Sequence, residues 1–132
     1  MAETADVPAW IALFLGLYSL SAAVGEFRAP GGWLAMLMDL ERSPASRFLT
    51  GAFCIALGAA IYLVTPWRPD DWLSIAVSVI GGLCVAEGML ILAAGDRFLL
   101  LGRSLIGTAS GFWAGFAALF GIGAIITALA RL

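Results

Sequence analysis

Residues 72–94 read WLSIAVSVIGGLCVAEGMLILAA, an unbroken apolar run that holds a single charged residue, Glu87. At about 1.5 Å of rise per residue, such a run crosses a bilayer core roughly 30 Å thick. A carboxylate at that depth is costly unless it is paired, protonated or turned toward a protein interior. The stretch sets two expectations. Lipid is the solvent of this helix, and the interior it packs into contains a polar point.

Three more runs share its character: Val7 to Val24, a second from just after Ser43-Pro44 to Thr65, and a fourth from Ala109 to Arg131. Composition agrees, since 62% of the 132 residues are hydrophobic and 12% charged. A soluble domain has about half and a quarter. The predicted fold is an all-α integral membrane bundle of four transmembrane helices, a single domain over residues 1–132. Ser43 before Pro44 predicts an N-cap and a first-turn proline. Pro66 and Pro69 end the second helix in a tight turn. Asp70 and Asp71 precede the third, where the helix dipole favours anions. Trp10, Trp67 and Trp72 lie at run ends, where interfacial aromatic belts form. Acids near the N-terminus, in MAETADVPAW, argue against a cleaved signal peptide.

The connectors, residues 25–42 and 95–107, are too apolar for solvated loops and too short to span. Each is expected to be a short amphipathic helix in the interface, with Trp33 or Phe98 dipping into lipid. They also expose an internal repeat. Shifting the chain by 65 residues lays Trp33 on Phe98, Leu34 on Leu99, Leu40 on Leu105, Ser43 on Thr108 and Phe48 on Trp113. The small-residue stripe Ala9, Ala12, Gly16, Ser19, Ala23 falls on Ser74, Val77, Gly81, Cys84, Gly88. Two parallel hairpin repeats, 7–65 and 72–131, follow, related by an axis along the membrane normal.

Five arginines (Arg28, Arg42, Arg47, Arg97, Arg103) lie on the connectors or beside them, against Arg68 and Arg131 on the opposite side. The positive-inside bias then puts the connectors in the cytoplasm and both termini outside. Arg28, Arg97 and Arg103 are candidates for binding anionic lipid headgroups. An arginine-only chain rich in Gly and Ala suggests a GC-rich bacterial gene, hence a bacterial inner membrane.

The chemistry-bearing residues are few. His and Lys are absent, which removes the usual proton shuttle and the commonest metal ligand. No metal or cofactor is expected. An enzyme is disfavoured, because a lone buried acid lacks the partner that acid–base catalysis needs. The net charge of -2 offers no attraction to nucleic acid. Reflection about residue 69 sets Gly51 opposite Glu87, with Arg47 one turn away, and predicts a Glu87–Arg47 ion pair. The same carboxylate could instead bind a proton or cation, or face another subunit or a lipid. Cys54 and Cys84 mirror each other about the same point; small buried apolar residues are the expected role. Close helix packing is expected at Gly16, Gly51, Gly81 and Gly88, and at the Gly107-x-x-x-Gly111-x-x-x-Gly115 series, the latter within the bundle or between subunits with the bundle favoured. Together these features point to a non-enzymatic accessory or scaffold subunit of a membrane complex or homo-oligomer. The alternative is a small proton- or cation-coupled transporter or channel using Glu87.

Overall fold

A computed structural model describes residues 6–132, the side chain of Thr108 excepted. Residues 1–5, on which the signal-peptide argument partly bears, and the Thr108 side chain, matched to Ser43, lie outside the described residues. The chain forms α1 (Val7–Arg28), α2 (Gly32–Arg42), α3 (Pro44–Val64) and α4 (Trp72–Arg131). Non-helical backbone at Ala94 (φ -144°, ψ 46°) and Ala109 (φ -149°, ψ 39°) breaks α4 into three limbs, residues 72–93, 95–108 and 110–131. Four helices are long and apolar enough to cross a membrane: Val7–Arg28, Pro44–Val64, Trp72–Gly107 and Ala109–Arg131. No proline or cap interrupts residues 95–108, so the second connector continues as helix through both bends. The first connector is a separate helix, because Ala29-Pro30-Gly31 stops α1 and Gly31 takes a left-handed φ of 98°.

The caps formed as the residues dictate. The Ser43 hydroxyl accepts from the Ser46 amide at 3.2 Å, with Pro44 in the first turn. Asp6 accepts from the Ala9 amide at 3.3 Å, and Asp71 from the Leu73 amide at 3.1 Å. Between Thr65 and Trp72 the Ser74 hydroxyl donates to the Pro66 carbonyl and pins the turn.

Size is sorted in the reverse of a water-soluble core. The largest fully buried side chain is Val77, while Phe14, Phe53, Leu63 and Leu119 are more than 60% exposed. A continuous apolar exterior of this kind is a liability in water. Among lipid tails the exterior costs nothing, and helices associate through close packing of small residues. Burial recurs at Ala9, Ala12, Gly16, Ala23 and Glu26 in α1, and at Ala114, Gly121 and Ala128 in the last limb. These positions follow the 3–4 spacing of a helix seam.

The seams meet in two antiparallel pairs. A Cβ on Gly16 would lie 2.8 Å from the Gly121 carbonyl oxygen. On the other pair, a Cβ on Gly58 would lie 2.5 Å from the Gly81 carbonyl oxygen, and one on Gly88 2.5 Å from that of Gly51. Thus α1 packs on residues 110–131 and α3 on residues 72–93, while α1 and α3 barely touch. Expected packing at Gly16, Gly51, Gly81 and Gly88 is present. For packing within the bundle the glycine series is a correction: a Cβ on Gly111 or Gly115 would meet nothing within 4 Å, and one on Gly107 would meet only Leu34, at 3.9 Å. The buried face of the last limb passes through Ala114 and Gly121, and this rotation leaves Gly111 and Gly115 outside it.

The core sits at the end that holds both described termini, around Ala9, Ala12, Ile61, Leu73, Val77 and Ala128. Arg131 closes this end. Its guanidinium donates two 2.8 Å hydrogen bonds to Asp71 and one of 3.1 Å to Asp6. It thereby joins the last turn of α4 to two helix N-termini, as the dipoles favour. The hydrogen bond from Arg131 holds the Asp71 carboxyl down at about 2, below the ordinary value of about 3.9. A depressed folded-state pKa contributes stability above the unfolded value that is lost as pH falls through the folded one. The melting temperature in detergent is therefore expected to drop on acidification from about pH 4 to about pH 2. In Arg131→Gln this component of the drop should be absent. An acid transition equally steep in both proteins would refute the tie.

Candidate functional site: a cavity between the two helix pairs

At the opposite end the pairs diverge. Glu26 governs this region, although it lies beyond the first apolar run as bounded by hydropathy. Helix α1 continues through Arg28, and Glu26 is 3% exposed. Its carboxylate accepts from the Gly31 amide at 3.1 Å and the Trp33 amide at 3.0 Å. The Gly32 amide and the Ser110 hydroxyl also face it. Glu26 therefore supplies from α1 the N-terminal cap that Gly31, the cap position of α2, lacks. It folds α2 back beneath the bundle.

Helix α2 and residues 95–108 then wall an open cavity of about 830 Å³ between the two pairs. Glu87, Tyr18, Ser19, Thr50, Asp39, Trp33 and Phe98 are among its lining residues. Trp33 and Phe98, expected from the sequence to dip into lipid, are half-buried and line this space. The Ser19 hydroxyl donates to the Ala117 carbonyl at 2.8 Å, tying α1 to the last limb within the wall.

Glu87 is exposed to this space and not buried in a seam. Residues 81, 84, 85 and 88 face α3. Glu87 precedes Gly88 and is rotated about 100° from it. The expected Glu87–Arg47 ion pair is not formed. Among the described residues, the arginines in ion pairs are Arg42 with Asp39, Arg103 with Glu41, and Arg131 with Asp6 and Asp71. Arg47 extends along α3 the other way, its Cδ 3.4 Å from where a Cβ on Gly95 would lie. There it lines a separate cavity of about 290 Å³ with Asp96 and Phe48. Reflection about a turn approximates depth in an antiparallel pair but carries no information on helix rotation.

Cys54 and Cys84 are free and half-buried. Cys54 lies within electrostatic reach of both Cys84 and Glu87. Among the described residues no group of three His, Cys, Asp or Glu side chains could hold a metal ion. Of the proposed headgroup ligands, Arg28 and Arg97 are exposed, and Arg103 sits 3.6 Å from Glu41.

The residues sequence reasoning passed over were Glu26 and the cavity wall. A signal for Glu26 existed. The stripe Ala9, Ala12, Gly16, Ser19, Ala23 continues by the same spacing to position 26. Comparison of the chain with protein-family models, with curated proteins and with solved structures finds no match.

Proposed function

We propose that the chain is a small bacterial inner-membrane protein that passes protons or cations across the bilayer, with Glu87 as the carboxylate that binds them. The observation that carries this reading is an acid with no ion-pair partner among the described residues, facing a cavity of about 830 Å³ at the depth of a helix long enough to span. Intramembrane acids that line a cavity belong to ion pathways and proton relays far more often than to architecture. Both termini lie outside and the cavity end faces the cytoplasm, by the arginine bias.

Two parallel repeats suit this mechanism, because pairs related by an axis through the cavity can rock against each other. Support comes from the backbone breaks: α1 ends at Ala29 and the first limb of α4 bends at Ala94, 65 residues on. Close glycine crossings recur on both pairs. A second reading, an accessory or scaffold subunit, draws on the open face at Gly111 and Gly115, where a helix of another subunit could approach closely.

Proteoliposomes with an imposed pH gradient and a lumenal pH-sensitive dye separate the two. Wild-type protein is expected to dissipate the gradient faster than protein-free liposomes, and Glu87→Gln to return the rate to the protein-free value. Equal rates for wild-type and empty liposomes, or for wild-type and Glu87→Gln, would exclude the first reading.

A further inference from the structure

We propose that the cavity beside Glu87 binds lipophilic organic cations, a ligand class defined by the wall's charge, rings and size. This inference rests on the reading of that cavity as a cation site and narrows it. Two carboxylates, Asp39 and Glu87, line the space and no arginine does. Asp39 is shared with Arg42 at 3.7 Å on the exposed side of α2, so Glu87, itself exposed to this space, is the lining carboxylate without an ion-pair partner among the described residues. An anion, including a lipid phosphate, would meet only repulsion there. For a small hard metal ion, no group of three carboxylate, thiol or imidazole side chains comes together among the described residues.

The rest of the wall is suited to an organic body. Tyr18, Trp33 and Phe98 bring rings from α1, α2 and the middle limb of α4 to one space. Aromatic faces attract cations, the more so where water is scarce. Met36 adds a flexible, polarisable side chain that adapts to irregular shapes. The volume, about 830 Å³, falls in the range of sites that enclose drug-sized molecules. A neutral solute of that size would offer Glu87 no counter-charge among largely apolar walls, whereas a monocation supplies one.

The test uses the full-length protein in an uncharged detergent and two probes of nearly equal shape and opposite charge, tetraphenylphosphonium and tetraphenylborate. Saturable binding of the phosphonium is expected, with none of the borate. Affinity should fall about tenfold or more in Glu87→Gln, the loss of one charge-assisted contact. It should fall at least as far in Ala117→Trp, which fills the cavity while keeping Glu87. Tetraphenylborate binding as well as the phosphonium would overturn the class, and so would a Glu87→Gln affinity equal to wild type. Absence of saturable phosphonium binding would also overturn it. The proton-flux measurement decides the broader reading independently, so the two failures are distinguishable.

Discussion

Gly58→Ala is expected to lose about 2–3 kcal/mol of stability, while Gly82→Ala, the same one-carbon addition, stays within about 0.5 kcal/mol of wild type or gains slightly. The difference lies in what the new methyl meets. At Gly58 it would lie 2.5 Å from the Gly81 carbonyl oxygen, 2.7 Å from the Val85 nitrogen and 2.8 Å from the Cys84 Cβ. Two of these are backbone atoms and no side-chain rotation relieves them. The helices must separate, and in lipid separation forfeits the packing that holds them together. At Gly82, one residue from the crossing, a methyl meets nothing within 4 Å. Intrinsic propensity favours alanine in both helices by up to about 1 kcal/mol, so the loss at Gly58 appears against a background of gain. Unfolding in mixed micelles by stepwise addition of sodium dodecyl sulfate reads the two free energies. Equal effects at the two positions would mean that α3 and residues 72–93 do not cross as described.

The same comparison explains what was legible in the residues alone. Spans were legible because bilayer thickness and helix rise convert run length directly into topology. Caps were legible at Ser43-Pro44 and Asp71 because the signal is local. The stripe in α1 was legible because every member is small, so its 3–4 spacing stands out. Rotation was not. Gly107, Gly111 and Gly115 carry the stronger local pattern, yet Gly121, with no glycine four residues to either side, makes the contact with Gly16. Which face of a helix turns inward depends on its partner's contour, and a spacing rule read on one helix holds no information about that partner. Glu26 and Glu87 exchanged roles for the same reason. Hydropathy marked Glu87 as enclosed because its neighbours in sequence are apolar, and placed Glu26 on a connector because a polar segment follows. In space Glu26 closes a seam and Glu87 leaves one. The cavity was illegible because its wall is drawn from all four helices, and only the fold brings Tyr18, Thr50, Glu87 and Phe98 together.

Glu26→Ala is expected to release α2 from the bundle while leaving the spans in place. One carboxylate accepts from the Gly31 and Trp33 amides, with the Gly32 amide facing it, across a turn that the left-handed Gly31 makes possible. No α2 side chain is fully buried, so the helix depends on this anchor more than on packing. Removing a cap typically costs about 1 kcal/mol or more, and here the amides lose a charged acceptor as well. The melting temperature should fall by about 5 °C. The sharper readout is local. Hydrogen exchange at Gly31 and Trp33 should accelerate about tenfold or more, since their protection rests on one acceptor; the Gly32 amide, which also donates to the Ala29 carbonyl at 3.3 Å, should change less. Amides within residues 72–93 should be unchanged. Glu26→Gln keeps the shape but offers one acceptor oxygen and sets its NH2 group against the remaining amides, so most of the loss should persist. Glu41→Gln is the control, an acid in the last turn of α2 whose partner, Arg103, sits at 3.6 Å, beyond hydrogen-bond distance. Such pairs contribute little, and exchange at the α2 N-terminus should not move. Trp33 forms part of the cavity wall, so release of α2 should also weaken phosphonium binding without touching Glu87. If α2 amides in Glu26→Ala exchange at wild-type rates, the carboxylate is not the anchor, and the cavity must owe its enclosing wall to contacts along α2 itself.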